Sequence, residues 1–286
     1  MVIRILRLLG TMPLLWLQRL GAALGWVAYW VSPAYARRLR ENLLASGIGS
    51  EEARRTTLLK EAIAETGKGA AEILAAWFGP DEAIARMVVD VQGWDAVDAA
   101  RARGKGIIIL TPHLGCFEMV GVYVGARVPM TVLYRPPRKR WLEPYMNAGR
   151  SRVGSKLAPA TLRGVRMMYR ALSRGEAVGM LPDQAPSEGE GVWADFFGRP
   201  AYTMTLLRRL QHASGATMIM TIAERLPHGG GYRLRATVLP SEGFDEAALN
   251  RAVEEEVRRC PAQYLWGYNR YKVPARAEPP PKGAAC

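Results

Sequence analysis

The sequence predicts an α/β fold in which helices flank a mostly parallel central sheet. Short apolar runs such as residues 107–110 have the length of buried strands rather than of helices. Each run ends at a turn and is followed by a helical pattern, which is the β-loop-α repeat typical of parallel sheets. The first 80 residues lack this repeat and are predicted to be helical.

Three helices are predicted ahead of the sheet. The first covers residues 2–32 and is expected to kink at Pro13. Ser32 and Pro33 begin the second, because serine caps helices well and proline fits the first helical position. The third covers residues 50–78 and stops at the Gly-Pro pair that follows.

The rest of the chain alternates predicted strands and helices. The predicted strands are residues 88–91, 107–110, 130–134, 177–181, 217–224 and 232–238. The predicted helices are residues 95–103, 114–124, 141–152, 162–174, 203–214 and 245–259. Residues 185–202 are predicted to form one long loop, of the kind that usually acts as a lid or binding loop. The last two strands are expected to form a hairpin at the sheet edge.

The first predicted helix is amphipathic. Arg4, Arg7 and Gln18 fall on one side of it, whereas apolar and aromatic residues such as Trp16 occupy the other side. This pattern predicts a helix that lies at a membrane interface; a buried core helix with polar edges is the alternative. A transmembrane span needs about 20 mostly apolar residues, and Gln18 and Arg19 interrupt that length. A cleaved signal peptide is not expected, because polar residues split the apolar region.

These patterns predict four regions along the 286 residues, a length that suits one or two domains. They are a membrane-associating helix (1–32), a basic helical segment (33–80), an α/β domain (81–275) and a Pro-rich tail (276–286).

The chain is strongly basic. It has 39 Lys+Arg against 26 Asp+Glu, which gives a formal net charge of +13. Nucleic acid, anionic lipid and an acidic carrier protein all fit such a charge. Nucleic-acid binding is not expected, because the aromatic residues are not interleaved with the basic runs.

Cysteine and histidine usage argues against disulfides and metals. The three cysteines, Cys116, Cys260 and Cys286, are odd in number and widely spaced, which suits a reducing compartment. With three histidines and no HExxH or paired CxxC motif, the sequence predicts no metal site and no cofactor.

A histidine follows the apolar run 107–110, on the turn made by Thr111 and Pro112. Sites in open α/β sheets tend to lie at such strand ends. Glu118 stands five residues after this histidine, and the two can meet only if His113 precedes the helix that carries Glu118. A carboxylate on one imidazole nitrogen fixes the tautomer, and the other nitrogen can then take a proton from a hydroxyl.

That hydroxyl is predicted to belong to a substrate. The chain has no GxSxG motif that would supply a serine nucleophile. Cys116 is a conceivable thiol nucleophile, but packing within an apolar run is the favoured interpretation. The alternative for the pair is that His113 caps a helix and Glu118 is a solvated acid.

Five segments together resemble one known family. They are HLGCFE (113–118), YRPPRKRWLEPYMNAGR (134–150), LPDQ (181–184), VWADFFGRPAYT (192–203) and QYLWGYNRYK (263–272). In this order and spacing they resemble the late acyltransferases of lipid A biosynthesis, the lauroyl- and myristoyltransferases of the wider glycerolipid acyltransferase superfamily. The resemblance covers nearly the whole chain.

The resemblance implies transfer of a fatty acyl chain, with lauroyl preferred, from acyl carrier protein to a hydroxyl of the Kdo-lipid IVA precursor. It implies work at the phospholipid surface, on the cytoplasmic face of the cell inner membrane. His113 would be the general base and Glu118 its orienting partner, with Arg135 and Asp183 at the second and third motif positions. Arg135, at a neighbouring strand end, would meet the negative charge that develops on the thioester oxygen.

Two interpretations stand beside each remaining site residue. Arg150 either contacts a phosphate of the anionic acceptor or flanks a helix end. Asp183 and Gln184 either position acceptor hydroxyls or hold the strand-end loop by hydrogen bonds.

Three other functions share parts of the pattern. An acyltransferase acting on a phosphatidylinositol mannoside or another glycolipid, with acyl-CoA as donor, would carry the same motifs. A non-catalytic membrane-associated protein with a degenerate site would be expected to lack at least one of the four motif residues. All four are present: His113, Glu118, Arg135 and Asp183. A hydrolase would use water at the same base, so dependence of thioester loss on added acceptor separates it from a transferase.

Overall fold

The structure is a computed structural model that describes residues 2–49, 51–137, 139–275 and 277–280. Residue 50 of the predicted third helix, and residues 276 and 281–286 of the predicted tail, lie outside the described residues.

The helices follow the sequence patterns closely. They are α1 Val2–Gly10, α2 Leu14–Val31, α3 Pro33–Ala45, α4 Glu52–Phe78, α5 Asp81–Met87, α6 Trp94–Ala102, α7 Phe117–Gly125, α8 Glu143–Arg150, α9 Leu162–Ser173, α10 Leu206–Ser214 and α11 Glu246–Arg259. The expected break at Pro13 is confirmed, because α1 ends before it and α2 begins after it. The Ser32 cap is also confirmed, since its hydroxyl accepts from the Tyr35 N–H at 3.4 Å.

The strands build one large sheet and one separate hairpin. They are β1 Val88–Gln92, β2 Ile107–Leu110, β3 Met130–Tyr134, β4 Lys156–Pro159, β5 Ala177–Met180, β6 Gly191–Phe196, β7 Arg199–Met204, β8 Thr217–Arg225 and β9 Tyr232–Val238. The large sheet has the order β1-β9-β8-β2-β5-β3-β4. The pairs β8–β2, β2–β5, β5–β3 and β3–β4 are parallel.

The predicted α/β class with a mostly parallel sheet is confirmed. The β8–β9 pair is antiparallel, as expected from the turn that joins them, but it does not lie at the sheet edge. Strand β1 pairs in parallel with the far side of β9 and forms that edge instead. A short strand so early in the chain gives no sign in its sequence of where it will pair.

The prediction of one long loop at residues 185–202 is wrong. Strands β6 and β7 form an antiparallel hairpin there, with Phe196 paired to Arg199 across a two-residue turn. Phe197 and Gly198 both have positive φ, at 49° and 68°, which is the backbone of a tight hairpin turn. Phenylalanine rarely adopts this conformation, so the sequence carried little turn signal.

Two apolar layers cover the two faces of the large sheet. On one face the buried residues of α9, α10 and α11 pack against the strands, together with parts of α3 and α4. On the other face the buried residues of α6 and α7 pack against the same strands. The carboxyl ends of the central strands remain free to build a site.

Helix α2 is fastened to α4 through glycines and a buried ionic network. A Cβ added at Gly67 of α4 would lie 2.1 Å from the Gly21 carbonyl oxygen of α2, so the two backbones touch. Gln18 donates to Glu72 at 2.7 Å, and the guanidinium of Arg225 binds both oxygens of Glu72 at 2.6 Å. Gln18 was expected on the polar, outward side of an interfacial helix; it is buried instead, and its amide is satisfied by the bond to Glu72.

The outward side of α1 and α2 carries many apolar side chains beside the exposed Arg4, Arg7 and Arg19. The exposed large apolar side chains there are Ile3, Ile5, Leu8, Trp16, Leu20, Leu24, Val27, Trp30 and Val31. Within the described ranges, no helix combines the length and apolar character needed to cross a membrane.

Candidate active site

The site lies where neighbouring parallel strands end. Strands β2 and β5 pair in register, with Leu110 opposite Met180. His113 stands three residues beyond the end of β2, and Asp183 stands three residues beyond the end of β5. Parallel strands in register deliver such side chains to the same place.

His113 and Asp183 form two hydrogen bonds. The imidazole Nδ1 lies 2.8 Å from Asp183 Oδ1, and the His113 backbone N–H donates to Asp183 Oδ2 at 2.9 Å. The Asp183 carboxylate is buried and accepts the proton on Nδ1, which assigns the imidazole to the tautomer with a lone pair on Nε2. The ring also rests on Phe117, with centroids 4.8 Å apart.

Asp183 stays ionised despite its burial. Burial by itself raises the pKa of the Asp183 carboxyl, but the electrostatic attraction and hydrogen bonds between His113 and the ionised carboxylate outweigh it and hold that pKa below its ordinary value. Burial also raises the pKa of the nearby Tyr264 hydroxyl, and the negative charge of Asp183 adds to that rise. The phenol is therefore neutral beside an ionised carboxylate.

The second imidazole nitrogen faces Gln184 and open space. Gln184 Nε2 lies 3.1 Å from His113 Nε2, so the amide donates to the free lone pair. A cavity of about 380 Å³ opens beside these two side chains. Its apolar lining comes from Leu133, Met146, Leu162, Val165, Leu181, Met204 and Leu206, and its basic lining from Arg135, Arg150 and Arg209.

Glu118 is placed differently from expectation. Its buried carboxylate accepts from Trp77 Nε1 at 2.8 Å and from Arg150 Nε at 3.1 and 3.2 Å, and it also binds Arg150 Nη2. The expected Glu118–His113 pair is thus replaced by an Asp183–His113 pair. The reason is local: α7 begins at Phe117, and the preceding backbone is held by the Cys116 N–H donating to Ala223 O at 2.9 Å.

Arg150 lies in the last turn of α8, between this carboxylate and the cavity. The pairing with Glu118 fixes its side chain, and its guanidinium carbon also lies 5.7 Å from the Trp77 ring centre. Arg150 therefore presents an oriented positive charge to whatever occupies the cavity.

Comparison with known proteins identifies the family. A family model described as bacterial lipid A biosynthesis acyltransferase matches residues 1–273. The chain belongs to this family. It is therefore an enzyme, an acyltransferase of lipid A biosynthesis.

Three relatives of this lipid A acyltransferase show the range of similarity. The lipid A biosynthesis palmitoleoyltransferase of Escherichia coli (strain K12) is 32% identical over 84% of this chain and 75% of its own length. The lipid A biosynthesis lauroyltransferase of the same strain is 30% identical over 95% of this chain and 90% of its own length. The phosphatidylinositol mannoside acyltransferase of Mycobacterium tuberculosis is 26% identical over 58% of this chain and 53% of its own length.

Arg135 of the acyltransferase lies at the cavity, as the strand-end argument predicted. It follows β3, and its exposed guanidinium donates to Ser187 Oγ at 3.3 Å. The structure therefore brings His113, Arg135, Arg150 and Gln184 to one cavity, with Asp183 behind the imidazole.

Cys116 of the acyltransferase is a packing residue. It is buried in the apolar layer, and burial raises the pKa of its thiol above the ordinary value. A thiol in that environment stays protonated and is not a nucleophile at neutral pH.

Sequence reasoning missed the role of Asp183 at the imidazole and the contribution of Trp77. A signal for the first existed: the segments Thr-Pro-His and Leu-Pro-Asp each follow a short apolar strand with the same spacing. No local signal marks Trp77, which lies at the end of α4, 41 residues before Glu118.

Proposed function

We propose that this enzyme transfers a fatty acyl chain, with lauroyl preferred, from acyl carrier protein to a hydroxyl of the Kdo-lipid IVA precursor. One observation carries the proposal: an imidazole oriented by Asp183 presents its free nitrogen to a cavity lined by apolar side chains and arginines. The motifs resembling late acyltransferases and the similarity to a lauroyltransferase over 95% of the chain support the substrates.

His113 acts as the general base in this proposal. Its Nε2 takes the proton of the acceptor hydroxyl, which replaces the Gln184 amide at that nitrogen. The alkoxide attacks the thioester carbonyl, the carbon–sulfur bond breaks, and the proton passes from Nε2 to the departing thiolate. The products are an ester on the acceptor and a free thiol on the carrier.

Asp183 and the arginines support this step from fixed positions. Asp183 keeps Nδ1 protonated and stabilises the imidazolium that forms when Nε2 is protonated. Arg135 and Arg150 line the same cavity and stabilise either the oxyanion on the thioester carbon or a phosphate of the acceptor. Glu118 acts through Arg150, which it holds in place.

We place this reaction at the cytoplasmic face of the inner membrane, and the exposed apolar side chains of α1 and α2 support contact with a membrane surface. These side chains include Trp16 and Trp30, and aromatic side chains of this kind favour the membrane interface. The net charge of +13 suits an anionic phospholipid surface.

The first test is a transfer assay with purified enzyme in detergent. Lauroyl-acyl carrier protein and tetraacylated precursor are supplied, and mass spectrometry reads the acceptor. We expect a mass gain of one lauroyl chain together with thioester loss that depends on added acceptor. Acceptor-independent thioester loss would indicate a hydrolase, and transfer only from acyl-CoA to a phosphatidylinositol mannoside would favour the alternative acceptor.

Acyl-chain preference is expected to follow the cavity volume. Val165→Phe places four extra carbons in the lining, whereas Leu133→Ala removes three. One methylene in an apolar site changes binding by about 1–3 kcal/mol. We therefore expect Val165→Phe to raise the decanoyl-to-lauroyl ratio of kcat/KM, and Leu133→Ala to raise the myristoyl-to-lauroyl ratio, each by about tenfold or more.

Met167→Phe is the matched control for this pair. Met167 is half-buried on α9 and packs against the core, but it does not line the cavity. Its replacement should leave both ratios unchanged. Equal losses for all chain lengths in both lining variants would show that the acyl chain binds elsewhere.

A further inference from the structure

One face of helix α9 carries a row of arginines. Arg163, Arg166 and Arg170 stand at positions i, i+3 and i+7, which places them within a sector of about 60°. All three are exposed, whereas Met168 and Leu172 on the opposite side are buried in the core.

Helix α10 extends this face. Exposed Arg209 belongs to it, and the Tyr169 hydroxyl of α9 donates to the Arg209 carbonyl at 3.2 Å, which ties the two helices together. We call Arg163, Arg166, Arg170 and Arg209 the α9–α10 arginine face. The row on α9 alone extends about 10 Å along the helix axis.

The positive charge of this face is not compensated. None of its four arginines takes part in an ion pair within the described ranges. Two neighbouring arginines do, because Arg174 pairs with Glu176 at 2.7 Å and Arg208 pairs with Glu246 at 2.9 Å. The chain thus neutralises the flanking arginines and leaves the α9–α10 arginine face available to an anionic partner.

The same two helices form one wall of the active-site cavity. Leu162 and Val165 of α9 line it together with His113, and so do Leu206 and Arg209 of α10. A partner bound to the α9–α10 arginine face is therefore next to the opening through which a thioester must reach Nε2 of His113.

We propose that the α9–α10 arginine face is the docking surface for the acidic carrier protein that delivers the acyl thioester. This inference rests on the proposed function, which takes acyl carrier protein as donor. A protein fits the face better than a membrane does. Leu162 is the one exposed large apolar side chain on α9 and α10 among the described residues, whereas α1 and α2 carry nine of them.

Docking by exposed charges has a kinetic signature. Such charges steer encounter and are screened by salt, so they govern the affinity for the partner more than the chemical step. The carrier's Kd and KM should respond to changes on this face, while kcat changes little. A small donor without the carrier protein should not respond.

The test variant is Arg166→Glu/Arg170→Glu, which leaves the cavity lining intact. Binding of fluorescently labelled lauroyl-carrier protein is measured by anisotropy, and transfer is measured with lauroyl-carrier protein and with S-lauroyl-pantetheine. We expect Kd and KM for the carrier to rise by about tenfold or more, with kcat/KM for the pantetheine donor within about twofold of wild type. The milder variant Arg166→Gln/Arg170→Gln should have a carrier Kd between that of wild type and that of Arg166→Glu/Arg170→Glu.

The matched control is Arg86→Glu/Arg103→Glu. These arginines are exposed and lie at the ends of α5 and α6, on the other face of the sheet, and they give the same change in net charge. Carrier binding should be unaffected. A carrier in which surface acids are replaced by lysine should bind the Arg166→Glu/Arg170→Glu variant more tightly than the wild-type carrier does.

Three results would overturn the proposal. The first is a carrier Kd within about twofold of wild type in a variant that melts normally. The second is an equal loss in the Arg86→Glu/Arg103→Glu control. The third is that the Arg166→Glu/Arg170→Glu variant no longer binds vesicles of phosphatidylethanolamine and phosphatidylglycerol but keeps the wild-type carrier Kd, which would assign the face to lipid. Failure of the proposed function is distinct: wild type would bind the carrier without acylating the precursor.

Discussion

Replacing His113 by alanine is expected to lower acyl transfer by at least about a hundredfold, because the variant loses the imidazole nitrogen that takes the hydroxyl proton in the proposed reaction. The imidazole Nε2 is the nitrogen that faces the cavity, and its neighbour Gln184 has only an amide to offer. The measurement is single-turnover transfer from lauroyl-carrier protein to the tetraacylated precursor.

His212→Ala is the control for this variant. His212 is exposed on α10 and should tolerate the change without loss of rate. Thermal unfolding of both variants checks that the fold survives. A His113→Ala enzyme that melts normally and keeps its full rate would require a different base.

Replacing Asp183 by asparagine is expected to reduce kcat by about a hundredfold or more, with a small change in KM. The asparagine amide can donate to Nδ1, which would move the imidazole proton to Nε2 and remove the lone pair that accepts from the substrate. Steady-state rates with both substrates varied measure this effect.

Glu118→Gln is the matched comparison for Asp183→Asn. Glutamine keeps an oxygen acceptor for Trp77 and Arg150, so we expect a loss of about tenfold or less. If Glu118→Gln abolished transfer and Asp183→Asn did not, Glu118 would regain the orienting role that the sequence motif suggests.

The effect of Asp183→Asn on the free energy of unfolding is expected to depend on pH. The folded-state pKa of Asp183 lies below its ordinary value, so its ionisation favours the folded state at neutral pH. That contribution is present above the ordinary aspartate pKa of about 3.9 and is lost as pH falls toward the lower folded value. The difference in unfolding free energy between wild type and Asp183→Asn should therefore shrink below about pH 4.

The sequence predicted the position of the site better than its internal pairing. Strand β2 and the turn that carries His113 follow from a short apolar run and a Thr-Pro break. The partner of His113 depends on strand order, because β5 lies beside β2 although their last residues, Leu110 and Met180, are 70 positions apart in the chain. Strand order depends on long-range packing, which the local pattern does not encode, so proximity in sequence favoured Glu118.

Local conformation explains the other differences. The hairpin of β6 and β7 turns on Phe197 in the left-handed region, which no turn motif would place at a phenylalanine. Gln18 interrupts an apolar helix and suggested that this side of the helix faces solvent. Its partner Glu72, however, lies on another helix, 54 positions later in the chain. Polar residues paired across long sequence distances resemble surface residues until the fold is known.

The glycine contact between α2 and α4 has a consequence for substrate choice. Because Gly21 and Gly67 bring the two backbones together and Trp77 of α4 binds Glu118, the apolar side of α2 and the cavity belong to one stiff unit. If α2 rests on the bilayer as proposed, the distance from the lipid headgroups to Nε2 of His113 is constant. The enzyme would then select an acceptor by how far its hydroxyl projects above the acyl chains, in addition to the chemistry of the sugar that bears it.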